Sequence, residues 1–74
     1  MTEADIMHEI RDANLSYLML AQNMIRQNRA AAIFRLGLSS EIADLLEGLS
    51  SAQLLKLGAS NMMLARFRFD DSAI

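Results

Sequence analysis

The side chains able to do covalent or acid–base chemistry in this 74-residue chain are few: one histidine, nine carboxylates and no cysteine. Catalysis needs a nucleophile with a base in reach, carboxylates held in different environments, or a bound metal. His8 falls at the angular edge of a polar strip on a helix, where a solvated imidazole is the expected state. The carboxylates crowd the start (Glu3, Asp5, Glu9, Asp12) and a second stretch (Glu41, Asp44, Glu47), at positions that read as exposed faces. The serine pairs 39/40 and 50/51 serve as helix caps, and no glycine-rich loop is present to cradle a phosphate. Without cysteine, disulfides and thiolate metal sites are both removed. The chain is expected to be no enzyme and to carry no cofactor or metal.

The arginines remain. Arg26, Arg29 and Arg35 lie close in sequence, and Arg66 and Arg68 alternate with Phe67 and Phe69. The net charge of −2 argues against binding nucleic acid by charge alone. Residues 40–59 have the size of a helix-turn-helix, with Ser51, Gln53 and Lys56 on the would-be recognition helix. Glu41, Asp44 and Glu47 beside it would repel a phosphate backbone, so an ordinary helical hairpin is the favoured reading. Phosphate contact would need the arginines pooled across an oligomer.

The elements that must position these residues are helical. Proline is absent and helix-forming residues abound. Over residues 4–27, Ile6, Ile10, Ala13, Tyr17, Leu20 and Met24 step alternately by four and three, the spacing of a coiled-coil seam. Met7, Asn14, Leu18, Ala21 and Ile25 form a second stripe beside it, while Leu15 and Met19 project from the opposite side. The two stripes span roughly 160°, wider than one seam needs. One stripe is expected to pack on later helices and the other on a second copy, and periodicity does not say which is which. Asn14 is either a buried residue that fixes register or a partly wet residue at a rim.

Asn28 breaks this helix and caps a short one from Arg29 to Leu36, with Gly37 in the left-handed position after it and Leu38 folding back on Ile33. Ser39 caps a third helix over 40–48, with Ile42, Leu45, Leu46 and Leu49 on one face. Ser50 and Gln53 form a capping box, with Leu49 and Leu54 as its hydrophobic staple. The fourth helix starts near Ser51 and ends near Gly58, or continues to about Asn61. Near residues 62–69 a short extended segment is possible, because Arg66-Phe67-Arg68-Phe69 alternates with period two. The fold class is therefore all-α: a long N-terminal helix and three short ones in a single domain spanning 1–74.

A domain this small rarely gains a comfortable margin from its own core. Yet 53% of the residues are hydrophobic, which is more than one small body readily hides. An intertwined homodimer would cover the excess. No apolar run reaches transmembrane length, and the acidic start lacks the basic region of a secretion signal, so the expected location is cytoplasmic, away from membranes.

The segment Asp12-Ala13-Asn14-Leu15-Ser16-Tyr17-Leu18-Met19-Leu20-Ala21-Gln22 resembles the first helix of the FlhD family of bacterial flagellar transcriptional regulators. The likeness continues through Phe34-Arg35-Leu36-Gly37, Gln53 to Leu57, Asn61 and Phe67-Arg68-Phe69-Asp70. It implies an α-helical homodimer that assembles with a zinc-containing FlhC-type partner. Such a complex binds flagellar promoter DNA and helps recruit RNA polymerase. The expected dimer interface is Ile6, Ile10, Ala13, Asn14, Tyr17, Leu18, Leu20, Ala21 and Met24. DNA or partner contact is expected at Arg26, Arg29, Phe34, Arg35, Asn61, Arg66 and Arg68. Family members commonly continue past the position of Ile74 with further helix, so the alternative expectation is an interaction module or anti-activator that sequesters an FlhC-type partner. Some members carry a cysteine where this chain has Ala65, and no disulfide-tied dimer is expected here.

Overall fold

The computed structural model describes residues 1–66 and residue 68. Its helices are α1 (Glu3–Gln27), α2 (Arg29–Leu36), α3 (Ser40–Glu47) and α4 (Ser51–Gly58). Among the described residues every regular element is a helix, as the composition and periodicity imply.

Each boundary has a local cause. Thr2 opens α1 with a capping box: the Asp5 N–H donates to Thr2 Oγ1 at 3.1 Å and the Thr2 N–H donates to Asp5 Oδ2 at 3.0 Å. Asn28 ends α1 by donating its N–H to the Met24 carbonyl at 2.8 Å, and starts α2 by accepting from the Ala31 N–H at 3.1 Å. Gly37 stops α2 in the left-handed region at φ 66°, and the Leu38 N–H returns to the Ile33 carbonyl at 3.1 Å. Ser39 caps α3 through the Ile42 N–H at 3.1 Å. Ser50 and Gln53 form the expected reciprocal box on α4 at 2.8 and 3.2 Å.

The long helix is the spine. All three short helices pack on α1, and α2 also touches α3. The core lies between them: Leu18, Ala21 and Ile25 from α1, Ala32 from α2, Ala43 and Leu46 from α3, and Leu54 from α4. Three of these seven are alanines, which let the short helices approach α1 closely. The expected inner face of α3 is corrected by this packing. Ala43 and Leu46 point inward, whereas Ile42 and Leu45 are 44% and 54% exposed. On α4, Leu54 and Gly58 are buried and Leu55 and Leu57 stay outside. A single layer of short helices around one spine closes only the sides that face it.

After α4 the chain bends through residues 61–65 without forming helix or strand. That leaves no extended segment there and no continuation of α4 to Asn61. Phe67 and Phe69, on which the expected alternation rests, lie outside the described residues. Among the described residues no helix is long and apolar enough to cross a membrane, and no group of three metal-ligating side chains is gathered.

Candidate interaction surfaces

The structure separates the two stripes of α1. Leu18, Ala21 and Ile25 are buried by the chain's own later helices, and so is Asn14. The other stripe is covered only in part, with Met24 packed against the core. Ile6 is 40% exposed and Leu20 is 52% exposed, Ala13 is open, and Ile10, Tyr17 and Met24 are half-buried. Of the residues expected at the interface, Asn14, Leu18 and Ala21 are buried within the single chain. The partly uncovered seam is Ile6, Ile10, Ala13, Tyr17, Leu20 and Met24, with Ile6, Ala13 and Leu20 its exposed members. No residue of α1 before Asn14 is buried, so Glu3 to Ala13 forms an arm. At 1.5 Å per residue the arm is about 16 Å long.

Asn14 is the buried polar residue of the two readings. Its Nδ2 donates to the Met62 carbonyl at 2.9 Å and to the Gly58 carbonyl at 3.3 Å, and its Oδ1 accepts from the Leu64 N–H at 2.8 Å. One amide thus ties the segment after α4 onto α1. Gln22 does the same for the turn between α3 and α4, donating to the Leu46 carbonyl at 2.9 Å and the Leu49 carbonyl at 2.7 Å. The carbonyls at a helix end lack intrahelical partners, and Gln22 supplies one. Sequence reasoning missed Gln22. Its signal was an amide lying between Leu18 and Leu15 around the helix, just beyond the edge of the second stripe.

Of the six arginines, Arg11 is exposed on α1 among the carboxylates, and the other five fall into two groups. Arg29 pairs with Asp44 at 2.7 Å and donates to the Ser40 carbonyl at 3.0 Å, and Arg26 donates to the Glu47 carbonyl at 3.2 Å. Both hold α3 against the rest of the body. Asp44 is well exposed, so the ion pair contributes at most about 1 kcal/mol. Arg35, Arg66 and Arg68 converge instead on a groove of about 430 Å³ walled by Tyr17, Leu36, Gly37, Leu38, Leu64 and Ala65. Arg68 donates to the Arg35 carbonyl at 2.7 Å, which closes the rim on one side. Among the described residues no carboxylate lines this groove. Phe34 projects from α2 at 82% exposure and Asn61 is also exposed, neither of them part of the arginine groove.

At the far end of α1 the electrostatics are opposite in sign. Glu3, Asp5, Glu9 and Asp12 are all exposed. The backbone N–H of Thr2, and then its hydroxyl, hold the Asp5 carboxyl below its ordinary range. His8 is exposed on the same helix. The molecule therefore presents an apolar seam, an acidic arm and an arginine-rimmed groove, which are features of association.

Comparison with known proteins agrees with the resemblance seen in the sequence. A protein-family model described as "Flagellar transcriptional activator (FlhD)" matches residues 1–74. The flagellar transcriptional regulator FlhD of Cupriavidus taiwanensis is 58% identical over 74 residues, covering 100% of this chain and 70% of that protein. The FlhD protein of Ralstonia pickettii is likewise 58% identical over 74 residues, with the same coverage. That of Nitrosomonas eutropha is 59% identical over 69 residues, or 93% of this chain and 66% of its own length.

Proposed function

The chain belongs to the FlhD family of flagellar transcriptional activators, and we propose that it works in the bacterial cytoplasm as one subunit of a DNA-binding activator complex. Its task is association and involves no catalytic step. Two copies pair through the seam of α1, and the pair binds an FlhC-type partner. The assembly engages flagellar promoter DNA and brings RNA polymerase to it. The single observation that carries this reading is the seam itself: an apolar stripe from Ile6 to Met24 that the chain's own helices cover only in part, leaving Ile6, Ala13 and Leu20 exposed. Phe34 and Asn61 are exposed where a partner can reach them, and Arg26 and Arg29 lie near the end of α1, where phosphates or an acidic partner surface can approach.

The mild net negative charge supports a division of labour in which the partner supplies much of the DNA affinity. A gel shift on a flagellar promoter fragment tests it, with this chain alone, an FlhC-type protein alone, and both together. The expected result is a salt-sensitive, sequence-specific shift that strengthens only in the mixture. Tight specific binding by this chain alone contradicts that division. A mixture that binds DNA less than the partner does alone makes the chain a sequestering anti-activator instead.

A further inference from the structure

We propose that the arginine-rimmed groove is a binding site for a small phosphorylated ligand with a flat apolar body, of the size and chemistry of a nucleoside monophosphate. The inference goes beyond the activator reading above and does not rest on it, since it concerns what the chain binds with neither partner nor promoter present.

The charge at the groove calls for an anion. Arg35, Arg66 and Arg68 reach it from the end of α2 and from the segment after α4, two stretches far apart in sequence. Cations gathered in this way repel one another unless opposite charge is placed among them. Among the described residues no carboxylate lines the groove, and the Arg29–Asp44 ion pair lies elsewhere. Arg68 is positioned by neutral groups instead. It donates to the Arg35 carbonyl at 2.7 Å, and its guanidinium lies over Gly37, in space that a Cβ there would claim. The glycine that ends α2 therefore also makes room for a cation. An arginine anchored through one N–H to a neutral carbonyl keeps its charge and most of its five donors for an incoming group.

The lining indicates the kind of anion. Three guanidinium groups suit a phosphate monoester, with three terminal oxygens and nearly two negative charges, better than a carboxylate with two oxygens and one charge. The rest of the lining is apolar. Leu36 and Leu38 are half-buried, Leu64 and Ala65 lie beside them, and Tyr17 gives an aromatic wall. Such a surface favours a planar ring system over a bare sugar phosphate. The volume of about 430 Å³ falls within the range of small-molecule sites.

Isothermal titration calorimetry of the full chain tests this with adenosine 5′-monophosphate as the probe, and with adenosine and inorganic phosphate as its two halves. The monophosphate is expected to bind with a Kd on the order of 100 µM or tighter, and each half at least about tenfold more weakly. Arg35→Gln with Arg66→Gln should weaken the monophosphate at least about tenfold, through loss of charge-assisted hydrogen bonds. Both positions are exposed, and circular dichroism checks that the variant stays helical. Arg11→Gln, outside the groove, should leave binding unchanged. Tyr17 is the chain's only tyrosine, so its ring resonances report on the groove without ambiguity and should shift as the monophosphate is added. No heat and no Tyr17 shift at millimolar monophosphate overturns the proposal, as does undiminished binding in the double variant. Inorganic phosphate binding as tightly as the monophosphate overturns the nucleotide assignment. A promoter duplex that shifts Tyr17 where the monophosphate does not also overturns it, and assigns these arginines to DNA phosphates.

Discussion

Replacing Asn14 by leucine, a residue of similar bulk, should destabilise this protein far more than a surface change would. The side chain is fully buried and joins three backbone groups, the carbonyls of Gly58 and Met62 and the N–H of Leu64. Leucine fills the space and leaves those groups without their partner. An unsatisfied buried polar group costs about 1–3 kcal/mol. Met62 and Leu64 are exposed enough for water to replace part of the loss, so the lower end applies, and the sum is about 2–3 kcal/mol. For a domain of this size each kcal/mol shifts the melting temperature by about 4–8 °C. Asn14→Leu should therefore melt about 10–20 °C below wild type, followed by circular dichroism at one fixed concentration because self-association makes the melt concentration-dependent. The Leu64 amide, which has lost its acceptor, should exchange faster with solvent. A variant that melts within about 2 °C of wild type, with Leu64 still protected, would refute the claim that this amide holds the final segment in place.

Gln22→Leu should cost about 1–2 kcal/mol in a urea melt, since the Leu49 carbonyl loses its side-chain donor while the Leu46 carbonyl keeps only the Leu49 N–H. Gly58→Ala should destabilise by about 1 kcal/mol, reversing the usual gain of alanine in a helix, because its Cβ would sit 3.3 Å from the Leu15 backbone nitrogen. Gly37→Ala should cost about 1 kcal/mol in the same assay, because its φ of 66° is left-handed and a Cβ there also meets the Arg68 side chain. The lowered Asp5 carboxyl gives a pH signature. Its capping contribution is complete above the ordinary carboxyl value of 3.8 and is lost as pH falls through the lower folded value. The amide resonances of the first turn of α1 should thus shift toward coil in acid, and Asp5→Asn should remove that pH dependence, whereas Thr2→Ala, which keeps the backbone N–H, should only weaken it.

What was legible in the sequence was chemistry that acts over three or four residues. Asn28, Gly37, Ser39 and the Ser50–Gln53 box each declare a helix end through a bond to a near neighbour, and the structure makes those bonds. The choice between the stripes of α1 was not legible, because both have helical periodicity and only the packing of α2, α3 and α4 decides which is covered. The face of α3 misled for the same reason. Ile42 and Leu45 look like core residues, yet the small Ala43 faces inward and lets α3 come close. Asn14 and Gln22 find their partners 24 to 50 positions away, beyond any local pattern. The arginines could be named from the sequence but not grouped, because only the fold sends Arg26 and Arg29 to α3 and gathers Arg35, Arg66 and Arg68 at the groove.

Pairing of two copies along the partly uncovered seam is the claim on which the rest depends, and the chain's lack of native cysteine makes it directly measurable. Ala13→Cys puts a thiol on that seam, near the middle of the stripe, where a symmetric pairing brings the two copies together, and Ala52→Cys puts one on the exposed face of α4. Mild oxidation at low micromolar concentration, read on a non-reducing gel, should link most of the Ala13→Cys chains into dimers and leave Ala52→Cys monomeric. No link at position 13, or equal linking at both positions, would contradict the account.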